Sequence, residues 1–178
     1  MKIAIMGYSG SGKSTLCRNL SEKYNIPALH LDTVQFLPNW EVREDFEKQS
    51  LVTSFLDSNP DGWVIDGNYT KLCYDRRVED ADVIIQMLFG RFNCLWRCIK
   101  RYHKYKGKSR PDMAEGCNEK IDREFVKWIL WESRTAQAKK RYKKLWKMYP
   151  EKVIVIKNQK QLNEYMHKER IRYENCDR

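Results

Sequence analysis

Eight residues near the start of the chain combine three glycines and three serines with one lysine. Residues 7–14 read GYSGSGKS, which matches G-x-x-x-x-G-K-[ST] between an apolar run and a helical pattern. The glycines let the backbone wrap so that its N–H groups converge on phosphate oxygens at a helix N-terminus. Lys13 then reaches the β and γ phosphates, and the Ser14 hydroxyl takes a Mg²⁺ position. The motif predicts that ATP and Mg²⁺ bind through Gly7, Ser9, Gly10, Ser11, Gly12, Lys13, Ser14 and Thr15.

Five short apolar runs alternate with helical patterns along the chain. The predicted strands cover residues 2–6, 28–32, 63–66, 82–89 and 152–156. The predicted helices begin at Ser14 and cover residues 41–56, 92–105, 119–148 and 161–167. This alternation predicts one α/β domain over residues 1–178, with a five-stranded parallel sheet and helices on both faces. Asp32 and Asp66 end two of the strands, at the edge where such folds bind ligands.

A polar segment, residues 106–118, interrupts the alternation after the fourth strand. It contains Gly107, Pro111 and Gly116, and the lysines and arginines in and around it repel one another until an anion binds. We therefore expect residues 103–118 to form a small mobile lid. Residues 169–178 are expected to form a polar tail with a frayed end.

The composition excludes several classes of protein. The 178 residues are 42% hydrophobic with 8 Gly and 5 Pro, which suits a packed core and excludes collagen-like and disordered chains. No apolar run approaches the roughly 20 residues of a membrane span. The six cysteines form no CxxC pair and are interpreted as reduced thiols rather than zinc ligands. We expect a cytoplasmic monomer that does not attach to membranes.

The formal net charge of +10 is concentrated in one segment. Residues 91–148 contain 18 Lys and Arg against 6 Asp and Glu, whereas the rest of the chain contains 16 against 18. Such a segment attracts an anionic partner. The phosphates of a nucleotide and the backbone of a nucleic acid both fit, and charge alone does not distinguish them.

Three further runs, together with residues 7–14, resemble the small P-loop kinases of the nucleoside monophosphate kinase and shikimate kinase group. They are HLDTVQFLPNW at 30–40, VIDGNY at 64–69 and RPDMAEGC at 110–117. Over residues 1–168 the chain resembles the adenylate-kinase-like DNA topology modulation protein (FlaR-related) family. The resemblance implies a Mg²⁺-dependent ATP phosphotransferase, with the acceptor bound near residues 33–62.

The resemblance also implies roles for four arginines. Arg97 and Arg101 have the RxxxR spacing of arginines that contact adenine and phosphate in adenylate-kinase-like enzymes. Arg110 lies in the expected lid, and Arg134 resembles the arginine after the lid that bridges the donor and acceptor phosphates. Independently of the resemblance, guanidinium groups and Lys13 can neutralise the charge of a transferring phosphoryl group.

Two aspartates complete the implied site. Asp66 resembles an acid that holds Mg²⁺ through water, and its alternative role is to cap the turn that follows it. Asp32 resembles the aspartate that orients or deprotonates an acceptor hydroxyl in shikimate kinase-like enzymes. His30 is interpreted as a packing residue. Residues 66–70 read DGNYT and lack the arginine of the DGFPR signature of adenylate kinases. The identity of the acceptor molecule therefore stays an open question.

Three functions remain as alternatives. The leading one is a phosphotransferase whose acceptor is a nucleotide or another small metabolite. The second is a nucleic-acid-associated ATP-binding protein that affects DNA topology, since aromatic residues are interspersed among the basic ones in residues 96–131. The third is a nucleotide-sensing interaction protein without turnover, which the missing acceptor arginine would permit.

Overall fold

Five parallel strands form the centre of the computed structural model, which describes residues 1–108, 110, 112–114 and 116–171. The strands are β1 (Lys2–Gly7), β2 (Ala28–His30), β3 (Trp63–Asp66), β4 (Val83–Met87) and β5 (Val153–Ile156). They lie in the order β2-β3-β1-β4-β5. Ile3, Ala4 and Ile5 of the central strand are fully buried, as expected for a parallel sheet covered by helices. The predicted fold class is confirmed: this is an α/β fold of the P-loop kinase type.

Helices surround the sheet and connect its strands. They are α1 (Lys13–Tyr24), α2 (Leu31–Gln35), α3 (Asp45–Ser58), α4 (Tyr74–Asp80), α5 (Arg91–Tyr105), α6 (Arg123–Leu130), α7 (Ala136–Met148) and α8 (Gln159–Lys168). Single 3₁₀ turns lie at Pro38–Trp40 and Glu132–Arg134. Within the described ranges, no helix has the length and apolar character needed to cross a bilayer.

The long helix predicted over residues 119–148 is wrong, because the segment contains two separate helices. The Asp122 side chain accepts a hydrogen bond from the backbone N–H of Phe125 at 2.7 Å and begins α6. The Thr135 hydroxyl accepts one from the N–H of Ala138 at 3.1 Å and begins α7. Such caps satisfy N–H groups that a continuous helix would bond internally, so they favour two helix starts over one.

The predicted second strand also ends early. Pairing with β3 stops at His30, and Asp32 lies in the first turn of α2 rather than at a strand end. The Thr33 hydroxyl donates to the carbonyl oxygen of His30 at 2.7 Å. This bond occupies the last strand carbonyl and turns the chain into the helix.

Helix α3 begins later than predicted and buries a lysine along with its apolar residues. It starts at Asp45 instead of residue 41, with acidic side chains in its first turn, where the helix dipole favours them. Phe46 is 82% exposed, whereas Lys48 and Val52 are buried. Lys48 is tolerated there because its Nζ lies 2.6 Å from a carboxylate oxygen of Asp45.

The segment expected to form a lid, residues 103–118, covers the end of α5 and most of the connection from α5 to α6. Residues 109, 111 and 115 of this segment fall outside the described residues, as do residues 172–178 of the predicted tail. Arg110, Asp112, Met113 and Cys117 are buried, whereas residues 106–108 are exposed. A backbone bridge between Lys106 and Glu119 joins the two ends of the segment.

Candidate functional site

The glycine-rich loop lies between β1 and α1 and contacts the start of α5. Gly10 has φ +75°, and a Cβ there would lie 2.4 Å from the carbonyl oxygen of Cys94. Gly12, at φ +95°, is the residue before α1, and no side chain caps the helix at this point. A side chain at either position would be strained or would displace the backbone. The conformation therefore leaves N–H groups at the start of α1 for an anion.

Asn68, in the turn after β3, holds the glycine-rich loop in place. Its side-chain oxygen accepts a hydrogen bond from the N–H of Gly7 at 2.9 Å, and its amide nitrogen donates to the carbonyl oxygen of Gly7 at 2.6 Å. Two bonds to one residue restrain both its position and its orientation. The turn after β3 thus braces the first residue of the loop.

Ser14 and Asp66 form the polar pair next to the loop. The Ser14 hydroxyl donates to Oδ2 of Asp66 at 2.9 Å, and the Lys13 ammonium donates to the carbonyl oxygen of Tyr8 at 3.1 Å. Magnesium binds oxygen ligands, and in phosphate sites it takes one or two from protein while the rest come from phosphate and water. A hydroxyl and a buried carboxylate at this distance fit such an ion.

His30 also contacts Asp66. Its Nδ1 lies 2.6 Å from Oδ1 of the carboxylate. Burial opposes protonation of the ring, but the hydrogen bond and negative charge of Asp66 raise the pKa of His30 above its ordinary value. The thiol of Cys17 lies close by, with its Sγ within 4.8 Å of the ligand atoms of His30 and Asp66.

Asp32 is paired with a tyrosine. The hydroxyl of Tyr69 donates to Oδ1 of Asp32 at 2.7 Å. Burial, together with the nearby carboxylate of Asp32, raises the pKa of Tyr69, so the phenol stays protonated and acts as the donor. Arg77 holds the segment that contains Tyr69. Its guanidinium is fully buried and donates to the carbonyl oxygens of Leu72 and Tyr69 at 2.7 and 2.6 Å.

A chain of alternating charges joins the lid segment to helices α1 and α5. Arg101 lies 3.1 Å from the carboxylate of Glu119, which also pairs with Arg110. Arg110 in turn lies 2.8 Å from Asp112, and Arg18 lies 3.3 Å from the same acid. Burial would raise the pKa of Asp112, but the charge of Arg110 and other neighbours holds it below the ordinary value. The two candidate arginines, Arg101 and Arg110, therefore share the buried carboxylate of Glu119.

Arg97 and Arg134 occupy different surroundings. Arg97 donates to the carbonyl oxygen of Ser11 at 2.9 Å and pairs with Gln159 of α8. Arg134 donates to the carbonyl oxygens of Phe89 and Ile129 at 3.0 and 3.1 Å. Its guanidinium carbon stacks 3.7 Å from the centre of the Tyr8 ring. Arg97 thus contacts the backbone of the glycine-rich loop, whereas Arg134 contacts the side chain of Tyr8 in the same loop.

One cavity of about 1110 Å³ collects most of the predicted site residues. It is lined by Ser9, Gly10, Gly12, Lys13, Ser14, Thr15, Asp32, Asp66, Arg97, Arg101 and Arg110. Among the described residues, three of the predicted set, Gly7, Ser11 and Arg134, do not line it. The cavity also has cations from α5, a carboxylate from the lid segment and Tyr69 on its walls.

Sequence reasoning missed several contacts in and around this cavity. Asn68 follows Asp66 by two residues, so its nearness to the site had a signal in the chain. Asp112 had a weaker one, since it lies in the same run as Arg110. No local pattern marked Glu119, and His30 was interpreted as packing although it contacts a site carboxylate.

No model of a known protein family matches the chain. The chain is 27% identical over 200 residues to the adenylate kinase of Listeria monocytogenes serotype 4a (strain HCC23), a match that covers 85% of this chain and 88% of that enzyme. Two solved structures also align with it. An uncharacterized protein from Eubacterium ventriosum ATCC 27560 has a TM-score of 0.47 and 15% identity, over 97% of this chain and 99% of the other. Deoxyadenosine kinase from M. mycoides, with the products dCMP and a flexible dCDP bound, has a TM-score of 0.45 and 16% identity, over 94% and 97%.

These comparisons do not confirm the resemblance to the DNA topology modulation family. The sequence similarity to an adenylate kinase is weak, yet it spans most of both chains. Together with the phosphate loop at the end of β1, it supports a nucleotide kinase-like protein at the level of the P-loop kinases.

Proposed function

We propose that the chain is a Mg²⁺-dependent phosphotransferase that moves a phosphoryl group from ATP to a nucleotide or another small metabolite. One observation carries the proposal: the phosphate loop, the cations of α5 and the lid, and Asp32 all line one cavity. A transferring phosphoryl group spreads negative charge over its equatorial oxygens, so the reaction needs several cations around one space. Asp32 adds a hydrogen-bond acceptor that a triphosphate alone would not use.

The donor side of the proposed reaction uses the loop. The amide groups at the start of α1 and the ammonium of Lys13 bind the phosphates of ATP. Ser14 and Asp66 would hold Mg²⁺, which supplies positive charge at the phosphate oxygens when it is bound. Arg97, next to Ser11, lies where it can contact the donor nucleotide.

The acceptor side uses Asp32 and the paired arginines. Arg101 and Arg110 exchange part of their contact with Glu119 for the transferring phosphoryl group, and so neutralise charge that develops there. Asp32, held by the hydroxyl of Tyr69, orients the acceptor or takes its proton. Closure of the lid segment over the cavity would exclude water, which otherwise competes as the acceptor.

A second candidate function is favoured by exposed aromatic side chains in residues 91–148, which hold the excess positive charge. Trp96, Trp131 and Trp146 are all more than half exposed, with Lys100 within 5.9 Å of the Trp96 ring. Exposed aromatic rings next to cations can stack on the bases of a nucleic acid. This surface supports a nucleic-acid-associated ATP-binding protein as the alternative.

A coupled assay of ADP release tests the proposal. ATP and Mg²⁺ are held constant while nucleoside monophosphates, nucleosides and small polyols are offered one at a time. We expect one acceptor class to raise ADP release at least about tenfold above the rate without acceptor, and Lys13→Ala to abolish the increase. A rate that is the same with every acceptor would contradict phosphotransfer and leave an ATPase or a nucleotide sensor.

A further inference from the structure

His30 is a half-buried histidine in contact with a site carboxylate, and the proposed reaction gives it no role. It ends β2 and is the ladder partner of Asp66 in β3. The two side chains are 14% and 6% exposed, and Nδ1 lies 2.6 Å from Oδ1. An ionised carboxylate can only accept a hydrogen bond, so the imidazole donates through Nδ1.

The two oxygens of Asp66 have separate partners. Oδ1 accepts from His30, and Oδ2 accepts from the hydroxyl of Ser14 at 2.9 Å. A buried carboxylate that is held at one oxygen by a hydrogen-bond donor cannot turn freely about its Cβ–Cγ bond. The other oxygen therefore stays directed at Ser14, the side on which the loop motif places Mg²⁺.

From this geometry we infer that His30 is a positioning residue, whose Nδ1–H holds the Asp66 carboxylate so that Oδ2 faces Mg²⁺ and its water. The inference rests on the proposed function, because it needs a Mg²⁺-dependent nucleotide site. Ser14 and Asp66 line the cavity, whereas His30 does not appear among the described lining residues. His30 thus acts through Asp66 and not on a substrate.

Two substitutions separate this role from simple packing. Phenylalanine at position 30 keeps a ring of similar volume but has no donor, so Oδ1 would become a buried acceptor without its partner. Asparagine has a side-chain N–H donor at about the distance of Nδ1 from the backbone, so it can restore the bond. A packing role predicts that His30→Phe is the milder change, and a positioning role predicts that His30→Asn is.

The test is calorimetric titration of the full chain with ADP, once with Mg²⁺ and once with EDTA. The measured quantity is the Mg²⁺ gain, the ratio of the Kd for ADP in EDTA to that in Mg²⁺. We expect the gain to fall about tenfold or to disappear in His30→Phe, because lost partners of metal ligands cost about 10- to 100-fold in metal affinity. His30→Asn should keep most of the gain, and the Kd in EDTA should stay unchanged in both variants.

Each other result overturns the inference. If His30→Phe keeps the gain of the parent, or if it weakens ADP binding equally with and without Mg²⁺, His30 is a packing residue only. If the parent binds ADP but shows no Mg²⁺ gain, the positioning role and the Mg²⁺ dependence of the proposed function both fail. If the parent does not bind ADP, the proposed function itself fails.

A second measurement needs no variant, should His30→Phe fail to fold. The chain has three histidines, His30, His103 and His167, so the imidazole signals are few enough to assign by NMR. Adding Mg²⁺ to the ADP-bound parent should shift the His30 ring nitrogen signals and leave those of His167, on α8, in place. Unchanged His30 signals under saturating Mg²⁺ would overturn the positioning role.

Discussion

Arg101 and Arg134 differ in what their guanidinium groups contact. Arg101 lines the cavity, whereas Arg134 donates to backbone oxygens and stacks on Tyr8. We expect Arg101→Ala to lower kcat about 100-fold, the usual cost of removing a group that stabilises charge in a transition state. Arg134→Ala should instead lower the free energy of unfolding by about 2 kcal/mol, because it removes charged hydrogen bonds to backbone oxygens.

Steady-state kinetics and urea unfolding of both variants check this contrast. The exposed Lys143→Ala is a matched control, since it removes a cation of the same segment outside the cavity. A large loss of kcat in Arg134→Ala with unchanged stability would place that arginine in the reaction, as the resemblance implied.

The burial of the cysteines predicts how fast their thiols react. Five of them are free thiols in the described structure, and Cys176 lies outside the described residues. Burial raises the pKa of Cys17, Cys94 and Cys98, so these groups stay protonated and react slowly. Brief alkylation with iodoacetamide at pH 8, read by peptide mass spectrometry, should label the half-buried Cys73 before those three. Early labelling of Cys94 or Cys98 would mean that the start of α5 opens readily.

The lid is the element whose motion the proposed function requires. Arg110 and Asp112 of this segment are buried, and ion pairs join Arg110 to Asp112 and to Glu119, so closing the lid on a substrate means exchanging carboxylates for phosphates. We expect hydrogen exchange in residues 103–118 to slow when two nucleosides joined by a polyphosphate bind, because the added anion neutralises the cations of this segment. Protection confined to residues 7–15, with unchanged exchange in the lid, would rule out a closing element.

At the scale of the whole molecule, the positive charge concentrated in residues 91–148 separates the two candidate functions. Lys143 and Lys144 are exposed on α7 and do not line the cavity among the described residues. For a kinase, replacing both by alanine should leave ADP release unchanged. For a nucleic-acid binder, it should weaken binding to duplex DNA and lower the salt slope by about two. Fluorescence anisotropy across salt concentrations, alongside the coupled assay, measures both, and we expect the kinase outcome.

Secondary structure was predictable where the signal is local. The strands over residues 63–66 and 152–156 and helix α5 lie within a residue or two of their predicted bounds. No sequence pattern predicts helix α4. The pattern predicts one continuous helix over residues 119–148, because Asp122 and Thr135 act as caps only when the chain around them bends. A hydrophobic period cannot show such a break when both halves keep the same pattern.

The sequence by itself determined the phosphate loop and the parallel sheet, because both follow from short runs whose residue types restrict the backbone directly. Tertiary structure alone decided that His30 meets Asp66, that Glu119 is shared by two arginines, and that Arg134 stacks behind the loop. These contacts join residues that are 9 to 126 positions apart in the sequence. Their geometry depends on how strands align and helices pack, and no local pattern of side chains encodes that arrangement.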